Sequence, residues 1–166
     1  PATSICPERS RSANQIAREL ILKEKLAALT DYDYVIIDTP PSLGLLTINS
    51  LTPCDLLLIP LQAEPYALEG MSKLIKIVKM VETRLGSKPT RRVVLTMYDA
   101  RTNLSKQVEE QVRSFFKDEV FQTKIPRSVK LAEAPSHGQP ICLYDPESAG
   151  ALAYKQLSEE VLALGP

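Results

Sequence analysis

The 166-residue chain is 44% apolar and carries 20 basic and 20 acidic side chains, so its formal net charge is zero. That length supports one domain with a real core, and the charge balance speaks against a molecule that grips nucleic acid with its whole surface. No apolar run approaches the ~18 residues of a membrane span, and the polar opening PATSICPERSRSANQ has no signal-peptide h-region.

In chain order, residues 1–12 read as irregular. Residues 13–30, with Ile16, Leu20 and Leu29 among their apolar positions, predict a helix. Tyr34–Asp38 (YVIID) is apolar on both faces, as a buried parallel strand is. A Pro-Pro turn and a short helix over about Leu43–Leu51 follow. Asp55–Pro60 (DLLLIP) predicts a second strand, stopped by proline. Leu68–Leu85 sets Leu68, Met71, Leu74, Ile75, Val78, Val81 and Leu85 at helical spacing, with Gly86 as the C′ residue. Arg92–Met97 predicts a third strand and Val120–Ile125 a fourth. Between them, Asn103–Phe116 predicts a helix with Leu104, Val108, Val112 and Phe115 inward. A last helix, about Pro146–Leu164, is expected to bury Leu152, Leu157, Val161 and Leu164.

Strands alternating with helices imply an α/β fold with a doubly wound, mostly parallel sheet. Residues 1–166 then form a single domain, since no repeat or long linker divides them. Ligands of such sheets bind beyond the carboxyl ends of the strands. Here those ends are Asp38–Pro41, Pro60–Glu64, Met97–Asn103 and Pro126–Lys130, and any chemistry is expected there.

Asp38 opens the run DTPPSLG. A strand-terminal carboxylate can hold Mg²⁺, directly or through water, while Gly44 lets a backbone N–H approach a γ-phosphate. An aspartate that only caps the next turn has the same local sequence. Gln62 and Glu64 could read a ribose or a partner subunit, or simply be solvated. Arg101, Lys106, Arg127 and Lys130 come from separate segments and, gathered on one sheet edge, make a candidate anion site. Asn103 has the character of an N-cap. His137 lacks the companions of a nucleophilic mechanism and reads as part of a structural turn. Cys6, Cys54 and Cys142 are odd in number and far apart, as in a cytosolic protein with reduced thiols. No glycine-rich phosphate loop is present: Gly86-Ser87-Lys88 is followed by Pro89, and no strand leads into it.

Four blocks in order, YDYVIIDTPPSLGLLTINSL, DLLLIPLQAEPYALEG, VVLTMYDARTNLS and IPRSVKLAEAPSHGQPICLYDPESAGA, resemble the ParA/Soj family of chromosome- and plasmid-partition ATPases. This family belongs to the deviant Walker A group of P-loop NTPases. The resemblance runs from about Tyr32 to the C-terminus. It implies ATP and Mg²⁺ as cofactors, and a homodimer that forms around ATP and binds DNA without sequence preference. It also implies a ParB-type partner that stimulates hydrolysis, and a cytoplasmic, nucleoid-associated location with no membrane contact. By position, Asp38 resembles the Walker B aspartate next to Mg²⁺, and Asp38–Gly44 the switch II segment. Arg101 and Lys130 match DNA-contacting positions, and Pro126 and Arg127 resemble the part that borders the adenine.

The family's Walker A loop, its switch I aspartate and its first strand have no counterpart in these 166 residues. The expectation from the resemblance is therefore a domain incomplete at the N-terminal side, inactive by itself, with apolar strand edges uncovered. The alternative is a degenerate, non-hydrolysing module that binds DNA or a partner.

Overall fold

The computed structural model describes residues 18–40, 44–65 and 67–165. The irregular stretch expected at residues 1–12, Ile16, Cys6, the turn at Pro41 and the side chain of Leu68 lie outside the described residues.

Three parallel strands, β1 (Leu56–Gln62), β2 (Thr90–Tyr98) and β3 (Val120–Pro126), form one sheet in the order β1-β2-β3. Around it run α1 (Ile21–Leu26), α2 (Leu45–Leu51), α3 (Ala67–Leu85), α4 (Asn103–Phe116), α5 (Val129–Glu133), α6 (Ile141–Tyr144) and α7 (Ala149–Leu162). The helix expected over residues 13–30 is described as a 3₁₀ turn, Arg18–Leu20, running into α1. Asn49 of α2 ties this segment down, accepting from Leu22 N and donating to the Arg18 carbonyl.

The period of two along β2 sorts the core into two layers. Val93 and Leu95, fully buried, meet Met71 of α3 and Val108, Val112 and Phe116 of α4 on one face. Val94 points the other way, onto Ala153 and Leu157 of α7. Helices on both faces of a parallel sheet are the doubly wound arrangement expected. Gly86, at φ +72°, follows α3 where a left-handed residue ends the helix.

The strand expected at Tyr34–Asp38 is not one. Residues 34–40 form neither helix nor strand and join no ladder, and Ile36 is 95% exposed. A strand exists through its neighbours' hydrogen bonds, and among the described residues none lies alongside. The segment is an apolar strand sequence without a sheet position.

Two helix faces also differ from expectation. In α4 the buried stripe is Ser105, Val108, Val112 and Phe116, while Phe115 is 63% exposed and Leu104 also faces out. In α7 small residues, Gly150, Ala151 and Ala153, with Leu157, make the contact. Leu152 and Leu164 are exposed. A helix that lies close to a sheet needs small side chains at the contact, so leucine content is a poor guide to its inner face.

β1 runs past Pro60 to Gln62 instead of stopping there. Ala63 donates its amide to the Thr96 carbonyl at 2.9 Å, so the backbone groups of Pro60, three residues earlier, face away from β2. The ring therefore removes no donor from the β1–β2 ladder.

Candidate functional site

The carboxyl ends of β2 and β3 meet in one loop cluster. Leu95 to Tyr98 advances three residues on β2 while its partners, Lys124 to Pro126, advance two, so β2 carries an extra residue there. Met97, at φ +52°, is the left-handed residue in this bulge. Beyond it, the Arg127 amide donates to the Tyr98 carbonyl at 3.0 Å, clamping the loop after β3 to the end of β2.

Residues 99–105 form a closed hydrogen-bonded turn. The Thr102 hydroxyl caps α4 by accepting from Ser105 N at 3.2 Å and donates to the Asp99 carbonyl at 3.0 Å. The N-cap is thus Thr102, not Asn103, which is the first helical residue. Arg101 stands at the tip with its side chain 89% exposed. Its Nε and Nη2 donate to Asp99 Oδ1 and Oδ2 at 2.9 and 2.8 Å, and its backbone N donates to Oδ1 at 3.0 Å. These bonds, helped by the nearby charge of Arg127, hold the Asp99 carboxyl at about 2.

Lys130, on α5, forms an ion pair with Glu133 Oε2 at 3.3 Å and lies 5.6 Å from the Tyr144 ring centroid. The Tyr144 hydroxyl donates to the same carboxylate oxygen at 3.2 Å, and His137 stacks on the Tyr144 ring. His137 is exposed at the end of a 3₁₀ turn, Ala134–His137, with its ring against Tyr144. The structure brings Asp99, Arg101 and Arg127 together, with Lys130 three residues further on. Lys106 is exposed on α4.

A four-residue polar cluster braces this edge from beneath. Glu109 of α4 accepts from the Tyr98 hydroxyl at 2.7 Å, from Arg113 Nε at 3.0 Å and from Lys124 Nζ at 3.0 Å to each oxygen. Burial pushes its carboxyl up, but these donors outweigh that and hold it at about 2. Lys124 also sits 4.6 Å from the centroid of the Tyr98 ring. Only the Glu109–Arg113 spacing is visible locally; Tyr98 and Lys124 come from two different strands.

At the end of β1, Pro60, Leu61, Gln62, Glu64, Pro65, Ala67 and Met71 line an open cavity of about 370 Å³. Gln62 and Glu64 are exposed at its rim. Asp38 is exposed and has no hydrogen-bond or ion-pair partner among the described residues. Gly44 is the N-cap of α2, its carbonyl accepting from Ile48 N, and nothing lies within 4 Å of where a Cβ would be. Crowding does not require glycine there. Cys54 and Cys142 are free thiols. Among the described residues no helix is long and apolar enough to cross a membrane, and no group of three or more His, Cys, Asp or Glu is placed to hold a metal.

Comparison with known proteins decides the family. An AAA domain model matches residues 8–92. The sporulation initiation inhibitor protein Soj of Bacillus subtilis is 55% identical over 152 residues, which is 90% of this chain and 60% of that protein. The chain belongs to the ParA/Soj family of partition ATPases. The chromosome-partitioning ATPase Soj of Treponema pallidum is 49% identical over 148 residues, covering 88% of this chain and 58% of the relative. Among solved structures, cobyrinic acid a,c-diamide synthase from Mycobacterium smegmatis, with bound ATP analog and magnesium, matches with a TM-score of 0.71 at 33% identity. That match covers 88% of this chain and 53% of the other. The chain therefore spans somewhat over half the length of these ParA/Soj relatives and of the solved chain.

Proposed function

We propose that this chain serves in a ParA/Soj-type ATPase of chromosome or plasmid partition, contributing the Walker B and switch II segment and the DNA-binding edge. The observation that carries the reading is the 55% identity to Soj over nine-tenths of the chain. The exposed placement of Arg101 and Lys130 just beyond the ends of adjacent strands, one in the turn after β2 and the other on α5 after β3, supports it.

In this reading ATP lies beyond the strand ends, with Pro126 and Arg127 bordering the adenine. Asp38 fits Mg²⁺ held through water, because its carboxylate is exposed and uncommitted to any described protein partner, and Mg²⁺ keeps several of its waters. When bound, the ion would neutralise charge on the phosphate oxygens. Gly44 lets the switch II backbone approach the γ-phosphate without a side chain in the way. Phosphoryl transfer depends on positioning and charge neutralisation, and Asp38 alone supplies only part of that.

Arg101 and Lys130 contact DNA phosphates, which carry no sequence information, so binding is non-specific. Lysine at position 130 offers a point charge and not a bidentate fork. The DNA-binding form is the ATP-bound homodimer, in the cytoplasm on the nucleoid, and a ParB-type protein stimulates its hydrolysis.

The test uses the natural protein that carries this sequence, with ATP and Mg²⁺. Hydrolysis should rise with DNA and the ParB-type partner and disappear in Asp38→Ala. Arg101→Ala and Lys130→Ala should weaken binding to unrelated duplexes equally and lower the salt slope by about 1 for each phosphate left unneutralised. Turnover that survives Asp38→Ala, or a loss of affinity confined to particular sequences, refutes the reading.

A further inference from the structure

We propose that Asp99 and Glu133 are internal phosphate mimics: each carboxylate holds its neighbouring cation, Arg101 or Lys130, until a DNA phosphate displaces it. This rests on the DNA-binding reading above and adds a control on the same edge.

The geometry is that of a filled site. The side-on fork of Arg101, Nε and Nη2, grips both oxygens of Asp99 at 2.9 and 2.8 Å. Those are the donors with which a guanidinium takes a phosphate bidentately. Lys130 is likewise engaged by Glu133, whose oxygen is held in place by the Tyr144 hydroxyl. Both candidate DNA contacts therefore rest beside an anion, and the two cations and two carboxylates cancel locally, as charges do over the whole chain.

Both pairs are also built to exchange. Their partners lie two and three residues apart, so the turn and the helix keep each carboxylate close without burying it. The side chains of Arg101 and Lys130 remain 89% and 51% exposed. Arg101 has five N–H donors and spends two on Asp99, leaving its Nη1 edge for an arriving phosphate before the first anion is released. Binding thus swaps one anion for another and never strands a bare cation. The consequence is DNA affinity held below what the cations alone would give, and easy release. Protonation does not open the Asp99 clasp near neutral pH, because that carboxyl titrates at about 2; only a competing anion does.

The experiment measures equilibrium binding of the natural protein, ATP-bound, to a labelled duplex of arbitrary sequence over a salt series. The variants are Asp99→Asn, Glu133→Gln, Arg101→Ala, Lys130→Ala and the pair Asp99→Asn/Arg101→Ala. Asparagine keeps Oδ1 as acceptor for the Arg101 amide, and glutamine keeps an acceptor for Tyr144, so both loops retain their backbone ties. Asp99→Asn and Glu133→Gln should each tighten binding about two- to fivefold at low salt, the range of an exposed ion pair. The Asp99→Asn gain should vanish when Arg101 is already alanine. An unchanged or weakened affinity in both carboxamide variants overturns the proposal, as does an Asp99→Asn gain that persists without Arg101, which would be a general field effect. If Arg101→Ala and Lys130→Ala both leave affinity unchanged, the DNA-binding reading itself falls and takes the clasp with it. If they weaken binding while the carboxamides do not tighten it, only the clasp fails.

Discussion

Leu131 occupies the space that a Cβ on Gly150 would take, with its Cγ 2.7 Å from that position. The contact joins α7 to α5, one residue beyond Lys130, so the packing of the last helix sets where a candidate DNA contact stands. Alanine at 150 gains about 1 kcal/mol of helix propensity but must push a branched side chain aside, at about 1–3 kcal/mol. Gly150→Ala should lower the melting temperature and also weaken DNA binding. A variant as stable as the parent would show that Leu131 has room to move.

Glu109 binds its donors as a carboxylate, and its titration sits at about 2 in the fold against 4.5 ordinarily. A depressed carboxyl contributes stability above the unfolded value, and the contribution is lost as pH falls through the folded one. The urea midpoint should therefore decline from about pH 4.5 toward pH 2. Glu109→Gln should be less stable near neutrality and show a flatter acid limb. An acid limb of unchanged slope in the variant would remove Glu109 from the account.

Glu160 of α7 accepts from two consecutive amides of β3, Gln122 at 2.9 Å and Thr123 at 2.8 Å. Consecutive amides share a partner because β3 is bulged: Val120 to Lys124 spans four residues against two on β2. Removing the carboxylate leaves the Thr123 side unsatisfied, at about 1–3 kcal/mol. Glu160→Ala should speed hydrogen exchange at residues 122 and 123 before it affects β1.

Lys117 ends α4 at φ +50°, ψ −120°, a region that side chains disfavour. Its side chain is exposed and forms no hydrogen bond or ion pair among the described residues. Lys117→Gly should raise stability by about 1 kcal/mol, read as a higher urea midpoint at constant m-value. A fall would mean that the gain in unfolded-chain entropy outweighs the relief of strain.

Among the described residues Asp38 is exposed and has no hydrogen-bond or ion-pair partner, so Asp38→Ala should leave the melting temperature unchanged while abolishing hydrolysis by the natural protein. A large drop in stability would reassign it to structure.

What could be foreseen from the chain follows the range of the forces involved. The span of α4 was legible to the residue because Leu104, Val108, Val112 and Phe115 recur at helical spacing, although the capping hydroxyl proved to be Thr102 and not Asn103. Which phenylalanine turns inward, 116 and not 115, depends on how the helix sits on Val93 and Leu95, and no local pattern encodes that. The apolar run at 34–38 has the composition of a buried strand, but composition cannot supply the neighbour that makes it one. At the site, Arg101 and Lys130 stood out by position. Their partners Asp99 and Glu133 did not, because an acidic residue two or three positions from a basic one, in a turn or a short helix, looks like ordinary surface.

Pro60 has a consequence for whatever lies along the outer side of β1. A ladder formed there meets a missing N–H halfway along the strand, and the carbonyl facing it goes unanswered. An arbitrary strand sliding along this margin incurs that loss in every register that sets a carbonyl against the ring, whereas a neighbour shaped to leave a gap there does not. The proline acts as a key cut into the edge, admitting a matched strand and discouraging the chance pairing by which exposed sheets turn into aggregates.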